Sequence, residues 1–233
     1  ETMNQVLPLG EIALIGEPSR MALINGHKGG TGFHVHVKGF EVHSSLLPYG
    51  VSAIMEGARL IQWANGRNAW IQGQPRGAQA LAFDPPFTTL HVGMISGGTA
   101  HNITAADCRF AVEMRVVPGE DLEALAAEFE AAALALTGRM QQVHPDAGIH
   151  LHRFFRVPAL QPEPQGEAEA LVRRLTGANA GGVVSYGTEA GIFQTAGYSA
   201  VVCGPGDIAQ AHQPDEYLDL SQFEAGQAFM ARL

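Results

Sequence analysis

Between residues 28 and 157 the spacing of apolar residues alternates between a period of two and a period near three and a half. That succession limits the fold more than any other property of the chain. Residues 32–39 place Phe33, Val35 and Val37 at every second position, the pattern of a strand with one buried face. Over 48–64, Val51, Ile54, Met55, Ala58, Leu60 and Ile61 recur at helical spacing, with Pro48 suited to a first turn and Gly66 beyond the end. Residues 88–96 and 108–117 read as two strands joined by a polar, glycine-bearing connection. Pro118 and Gly119 stop the second strand, and 122–136 reads as a helix with acid in its first turn. A last strand follows at 149–157. The order β-α-β-β-α-β predicts a ferredoxin-like sandwich, an antiparallel sheet with two helices on one face.

The flanks have a different character. A short apolar strand at 12–15 runs into the turn Gly16-Glu17-Pro18-Ser19. After the prolines of 158–164 come a helix at 167–175, strands at 182–186 and 199–203, and a helix at 220–233. These are pieces of an α/β sheet to which the early strand is expected to return. The sandwich is then an insertion, and the chain divides into 1–27, 28–157 and 158–233.

With 14 basic against 23 acidic residues the net charge is -9, which disfavours nucleic acid and anionic lipid as partners. The alanine-rich stretch 122–136 is too short and too acidic to span a bilayer, and no other run does better. The first residues have no leader-like pattern, so a cytoplasmic location is expected. Cys108 and Cys203 lie in apolar runs and read as small buried hydrophobes. The chain opens with Glu1 just ahead of a strand, which raises the expectation that it is cut from something longer.

The 10 histidines are the main source of candidate chemistry. His34 and His36 share a strand face with Lys38 and have no carboxylate close in sequence, so they are expected to be solvated. His150 and His152 alternate in the same way and read as structural, and His144-Pro145-Asp146 lies in a loop. His212 is more informative. It follows the apolar strand 199–203 and the turn Gly204-Pro205-Gly206-Asp207, in a loop leaving a sheet edge with Asp215 and Glu216 nearby. That is where α/β enzymes place ligands, and a neighbouring carboxylate orients a metal-binding imidazole. Glu17, just past its own strand, is a second candidate, with hydrogen bonding to turn amides as the alternative.

Several separated motifs resemble the metallopeptidase and deacylase family that contains acetylornithine deacetylase, succinyl-diaminopimelate desuccinylase and the glutamate-releasing carboxypeptidases. Gly16-Glu17-Pro18-Ser19 resembles the family's Glu-Pro-Thr/Ser turn, and His212 its C-terminal histidine ligand. Gly39-Phe40-Glu41-Val42-His43-Ser44-Ser45 with Pro48 resembles a stretch of the inserted lid domain, and Gly97-Gly98-Thr99-Ala100-His101-Asn102-Ile103 its asparagine run. Arg115 stands 13 residues after Asn102, at the spacing of a carboxylate-binding arginine, and Tyr186-Gly187-Thr188-Glu189-Ala190-Gly191 resembles the loop beside the substrate.

The resemblance implies a ferredoxin-like dimerisation domain inserted into part of an α/β zinc-peptidase domain. It further implies two zinc ions (or cobalt in their place) in a complete site, with Glu17 and His212 as metal ligands. His43 would act as an oxyanion donor reaching across a dimer, and Asn102, Arg115, Gly187 and Thr188 would bind substrate. The implied substrate is a small N-acyl amino acid, and the implied partner a second copy, joined through the helix around 51–61 and an edge strand. The family's His-x-Asp pair, bridging aspartate and Glu-Glu pair have no counterpart here. On that count the chain is expected to be inactive alone. The readings left open are a deacetylase, a desuccinylase or carboxypeptidase, and a noncatalytic dimerisation or ligand-binding module.

Overall fold

The computed structural model describes residues 10–163, 165–211 and 213–233. Two four-stranded sheets form the molecule, in the orders β1-β8-β2-β7 and β4-β5-β3-β6.

The second sheet is antiparallel throughout. β3 (Gly29–Lys38) lies between β5 (Asp107–Val116) and β6 (Gly148–Val157), and β4 (Thr89–Gly97) forms the far edge against β5. Helix α1 (Ala53–Gly73) connects β3 to β4, and α2 (Leu122–Gln141) connects β5 to β6. Each crossover therefore skips over a strand laid down by the other half, giving the two interleaved βαβ units of a ferredoxin-like sandwich. Phe33, Val35 and Val37 of β3 and Cys108, Phe110, Val112 and Met114 of β5 are buried against Leu60 and Ala64 of α1 and Leu125, Phe129 and Ala133 of α2. Among the described residues no helix packs on the opposite face.

The expected first helix divides in two. Pro48 falls in a separate 3-10 turn, Ser44–Tyr49, and α1 starts at Ala53 behind Ser52, whose Oγ accepts from the Met55 amide. It continues through Gly66 to Gly73, because Ile71 still reaches the core. The helix gains more from that contact than the roughly 1 kcal/mol a mid-helix glycine costs.

The first sheet is mixed. β1 (Ile12–Pro18) runs parallel to β8 (Ser199–Gly204), and β2 (Ile24–His27) bridges β8 to β7 (Gly182–Val184). Alternation along β8 sends Ala200 and Val202 to one side, toward Ala190 of α4 (Ala190–Thr195). Val201 and Cys203 go to the other, toward Ala168 and Val172 of α3 (Glu167–Thr176) and Phe229 of α5 (Leu220–Met230). Both cysteines are buried. β2 is an addition to the strands expected from sequence. The two sheets are joined by the chain at Lys28, between β2 and β3, and by its return after Val157. At that crossing His27 and Leu160 exchange both backbone hydrogen bonds, each 3.1 Å. Among the described residues no helix is long and apolar enough to cross a membrane.

Glu123, in the first turn of α2, ties that helix to the edge strand β6. Arg153 donates from Nη1 and Nη2 at 2.7 and 2.9 Å, and Arg156 from Nε at 2.5 Å. The Arg153 hydrogen bonds, reinforced by Arg156, hold the Glu123 carboxyl down to about 2. A depressed carboxyl stabilises the fold above its unfolded value near 4.5 and loses that contribution as pH falls toward 2. Because the side chain is 49% exposed, solvent screens the pair and Glu123→Gln should cost under about 1 kcal/mol at pH 7. Urea unfolding at a series of pH values should show the two proteins converging between pH 4.5 and 2.

Candidate functional site

Three segments singled out in the sequence follow β1, β7 and β8; β1 and β8 run parallel and end side by side, while β7, parallel to β2, runs opposite to both. The turn after Glu17 is fastened to the loop after β8: the Ser19 amide donates to the Gly204 carbonyl (3.2 Å), the Arg20 amide to the Gly206 carbonyl (2.7 Å), and the Gly204 amide to Ser19 Oγ (3.0 Å). Gly204 lies so close to the Gly16 and Glu17 carbonyls that a Cβ there would collide with backbone. Tyr186, after β7, donates its hydroxyl to the Pro18 carbonyl at 3.3 Å. Burial raises the Tyr186 phenol, and the negative charges of Glu17 and Asp207 raise it further. Glu17 is half-buried in this corner. His212, the other expected ligand, lies outside the described residues.

Gly187 and Thr188 continue from Tyr186 toward the sandwich. A Cβ on Gly187 would sit 3.3 Å from the Lys28 carbonyl and 3.7 Å from Arg115 Nη1, so the guanidinium lies directly against this glycine. Arg115 ends β5, pairs through Nη2 with Glu113, and lies over the Phe155 ring at 5.9 Å. Pairing of Nη2 with Glu113 leaves Nη1 facing the loop.

That loop is held by a residue absent from the expected set. His27 is fully buried, with Nδ1 2.9 Å from the Lys28 carbonyl. Its Nε2 is the acceptor for the amides of Thr188 (3.4 Å) and Gly191 (3.2 Å). An imidazole that donates at Nδ1 and accepts at Nε2 is neutral, and burial lowers its pKa. Next to it Lys28 is also buried, donating from Nζ to the carbonyls of Pro85 (2.6 Å) and Phe87 (3.0 Å). No pattern marks either residue in the sequence, since His27 ends a four-residue strand with a single large apolar side chain.

His43 and Asn102 form a second group. The Ser44 amide donates to the Asn102 carbonyl at 2.9 Å, and His43 bridges to Ile103, so the two loops run together, both side chains exposed. The Ser45 amide donates to His43 Nδ1 at 3.3 Å, with Ser45 Oγ at 2.8 Å. With Nδ1 occupied as an acceptor, the neutral ring carries its proton on Nε2 and presents an N–H donor outward.

The two groups lie at opposite ends of the sandwich. β5 pairs Arg115 with Gly30 and Asp107 with Lys38, so eight residues of β3 separate the arginine end from the His43 end. At ~3.3 Å per residue that is roughly 26 Å, beyond the reach of any side chain.

The described residues do not make a complete metal site. Among them no three His, Cys, Asp or Glu side chains converge on one point, and Glu17 is the only expected ligand described.

An interleaved four-stranded sandwich, set on a mixed α/β sheet whose strand ends gather polar loops, defines a peptidase-type subunit carrying a dimerisation module. Residues 25–140 match the peptidase dimerisation domain. The chain is 33% identical over 227 residues to an acetylornithine deacetylase of Myxococcus xanthus and 34% identical over 218 residues to one of Klebsiella pneumoniae. These matches cover 94% and 90% of this chain but 56% and 52% of the relatives, so it spans just over half of their length. The aminopeptidase PepT of Bacillus cereus has the same fold at a TM-score of 0.69 and 16% identity, over 97% of this chain and 58% of that one. Human carnosine dipeptidase 1 matches at 0.63 and 12% identity, over 94% and 58%. Residues 25–140 thus form an M20 peptidase dimerisation domain, and the chain as a whole is similar to acetylornithine deacetylases.

Proposed function

We propose that the chain supplies the lid and substrate clamp of a zinc-dependent amide hydrolase that removes an acyl group from an amino-acid amine, as its deacetylase relatives are named. The observation that carries this reading is the contact of Arg115 with the Gly187–Thr188 loop beside the Glu17 corner. A planar guanidinium grips a carboxylate through two parallel hydrogen bonds, and here Nη1 is turned toward the loop while Glu113 occupies Nη2. The substrate's α-carboxylate would take the loop side and place its amide toward Glu17.

Glu17 and His212 would hold zinc together with ligands that the described residues do not supply; the metal, when bound, polarises the scissile carbonyl. His43 Nε2–H and the Asn102 amide would donate to the carbonyl oxygen as it gains charge. Because eight residues of β3, roughly 26 Å, separate the Arg115 end of the sandwich from the His43 end in one chain, each site takes its His43 and Asn102 from a second copy. The surfaces for that pairing are the unpaired edge of β4, where Met94 and Ile95 are 72% and 56% exposed, and the outer face of α1 at Ile54 and Met55. We place the limits of the inserted domain at 28 and 157, and the homodimer in the cytoplasm.

The test is zinc-supplemented hydrolysis of N-acetylornithine by the protein at its relatives' length. Arg115→Ala should raise KM by about tenfold or more with kcat largely kept, the signature of lost uniform binding. Absence of turnover in the unsubstituted protein would favour a noncatalytic dimerisation module. An Arg115→Ala variant with unchanged KM would remove the arginine from the substrate clamp.

A further inference from the structure

The helix-free face of the sandwich carries a side-chain cluster that amide hydrolysis leaves unused. β3 and β6 pair in a register that sets His34 opposite His152 and His36 opposite His150. Since Phe33, Val35 and Val37 point into the core, all four imidazoles stand on the open face. The ring centroids of the two facing pairs are 6.2 and 6.0 Å apart. Four of the chain's 10 histidines thus share one patch, in a groove of about 610 Å3 with Met94, Ile95 and Ala111 along its side.

The patch is braced from the neighbouring strand β5. Asp107 Oδ2 lies 2.5 Å from His36 Nε2, and Arg109 holds the same carboxylate through Nε at 3.1 Å. A carboxylate on one ring nitrogen is the usual orienting partner of a metal-binding histidine, and it leaves Nδ1 of His36 for a ligand. The Phe154 ring stacks on His34 at 4.3 Å, with room left by Gly32, whose missing Cβ would lie 2.5 Å from Phe154 Cζ. Of the other charges on this face, Arg109 is offset by Asp107 although its Nη2 also stands 3.3 Å from His36 Nε2, Arg115 is paired with Glu113, and Lys38 stands one position beyond His36 on the same side of β3.

We propose that His34, His36, His150 and His152 bind a divalent transition-metal ion of the zinc class on the open face of the sandwich. Directly opposed residues place their Cβ atoms about 5 Å apart, and the next pair on the same face is about 7 Å further along. Four imidazole arms on such a rectangle can converge above its centre, where an ion takes nitrogen ligands at about 2.0–2.1 Å. The rings as they stand do not converge, so capture requires staggered χ1 and χ2 changes; three of the four side chains are exposed, and His34 would leave its stack on Phe154 to make them. An imidazole set of this kind suits zinc, copper or nickel and not magnesium or calcium.

The test separates this site from the Glu17 corner. In a Glu17→Gln, His212→Ala background, zinc is titrated into the chain against a chromophoric chelator. One equivalent should remain bound, and replacing either facing pair, His34→Ala with His152→Ala or His36→Ala with His150→Ala, should weaken it at least about tenfold with the circular dichroism spectrum unchanged. Copper(II) loaded into the same background should show nitrogen couplings from several imidazoles in its paramagnetic resonance, lost with the pairs. No retained zinc in that background, or an affinity indifferent to both pair replacements, would overturn the site.

Discussion

When subunits carrying His43→Ala are mixed with subunits carrying Arg115→Ala and allowed to exchange, amide hydrolysis should return to about a quarter of the unsubstituted level. At substrate well below KM each variant alone should be severely impaired, Arg115→Ala through its raised KM and His43→Ala through its lowered kcat. Loss of one oxyanion donor lowers kcat by about 10² to 10³, and His43 is the donor whose Nε2–H is presented outward by the Ser45 amide. Random exchange makes half of the dimers mixed. A mixed dimer holds one site with an intact arginine from one subunit and an intact histidine from the other, and one site with neither. If His43 served its own subunit, both sites of a mixed dimer would be damaged and mixing would restore nothing. The prediction follows from the length of β3 between the two groups.

Replacing His27 with alanine should remove about 2–5 kcal/mol of stability, because two buried amides, those of Thr188 and Gly191, lose their shared acceptor. The same residue gives the unsubstituted protein an acid-sensitive loop. Burial lowers the His27 pKa below 6.5, so the unfolded chain takes up the proton first as pH falls. Stability from this group is therefore fully present above pH 6.5 and lost progressively below it, by at most about 1.4 kcal/mol per pH unit. Hydrogen exchange at residues 187–191 should accelerate as pH drops from 7.5 to 5.5 beyond the intrinsic chemical trend. In His27→Gln, whose side-chain carbonyl accepts but does not titrate, the extra acceleration should vanish. An identical pH profile in both proteins would show that His27 is not the source.

The sandwich was legible because each of its elements buries one face, and one-sided burial writes a period into the sequence. Phe33, Val35 and Val37 announced β3, and the run from Leu125 to Ala133 announced α2. Where burial is two-sided or brief, the period is lost. β2 consists of Ile24, Asn25, Gly26 and His27, too short and too polar to be read as a strand, and the neutral histidine ending it went unnoticed with it. The end of α1 was misplaced at Gly66 because a local signal for a helix end was outweighed by a contact at Ile71, far along in three dimensions.

Site residues show the same division. Glu17, Arg115, Gly187 and Thr188 were expected from motifs, and the structure sets Arg115 against Gly187 and Tyr186 beside the Glu17 corner. The separation of His43 from that end depends on strand register, which no spacing along the chain reports. Register also decides the histidine patch. Alternation alone puts His34 and His36 on one face and His150 and His152 on one face; only the pairing of β3 with β6 makes the two faces the same and the residues opposite.

The crossing between the sheets has a mechanical consequence. The chain passes from one sheet to the other at Lys28 and returns beside Pro158, and the two passages are latched by the reciprocal His27 and Leu160 hydrogen bonds. The sandwich is thus joined to the first sheet by two passages bonded side by side, and Ser185 Oγ, donating to the Asp84 carbonyl at 2.7 Å, ties the two parts again beyond them. Lys28 sits at this crossing with its ammonium anchored to the Pro85 and Phe87 carbonyls, so the 85–87 segment is fastened to the same junction.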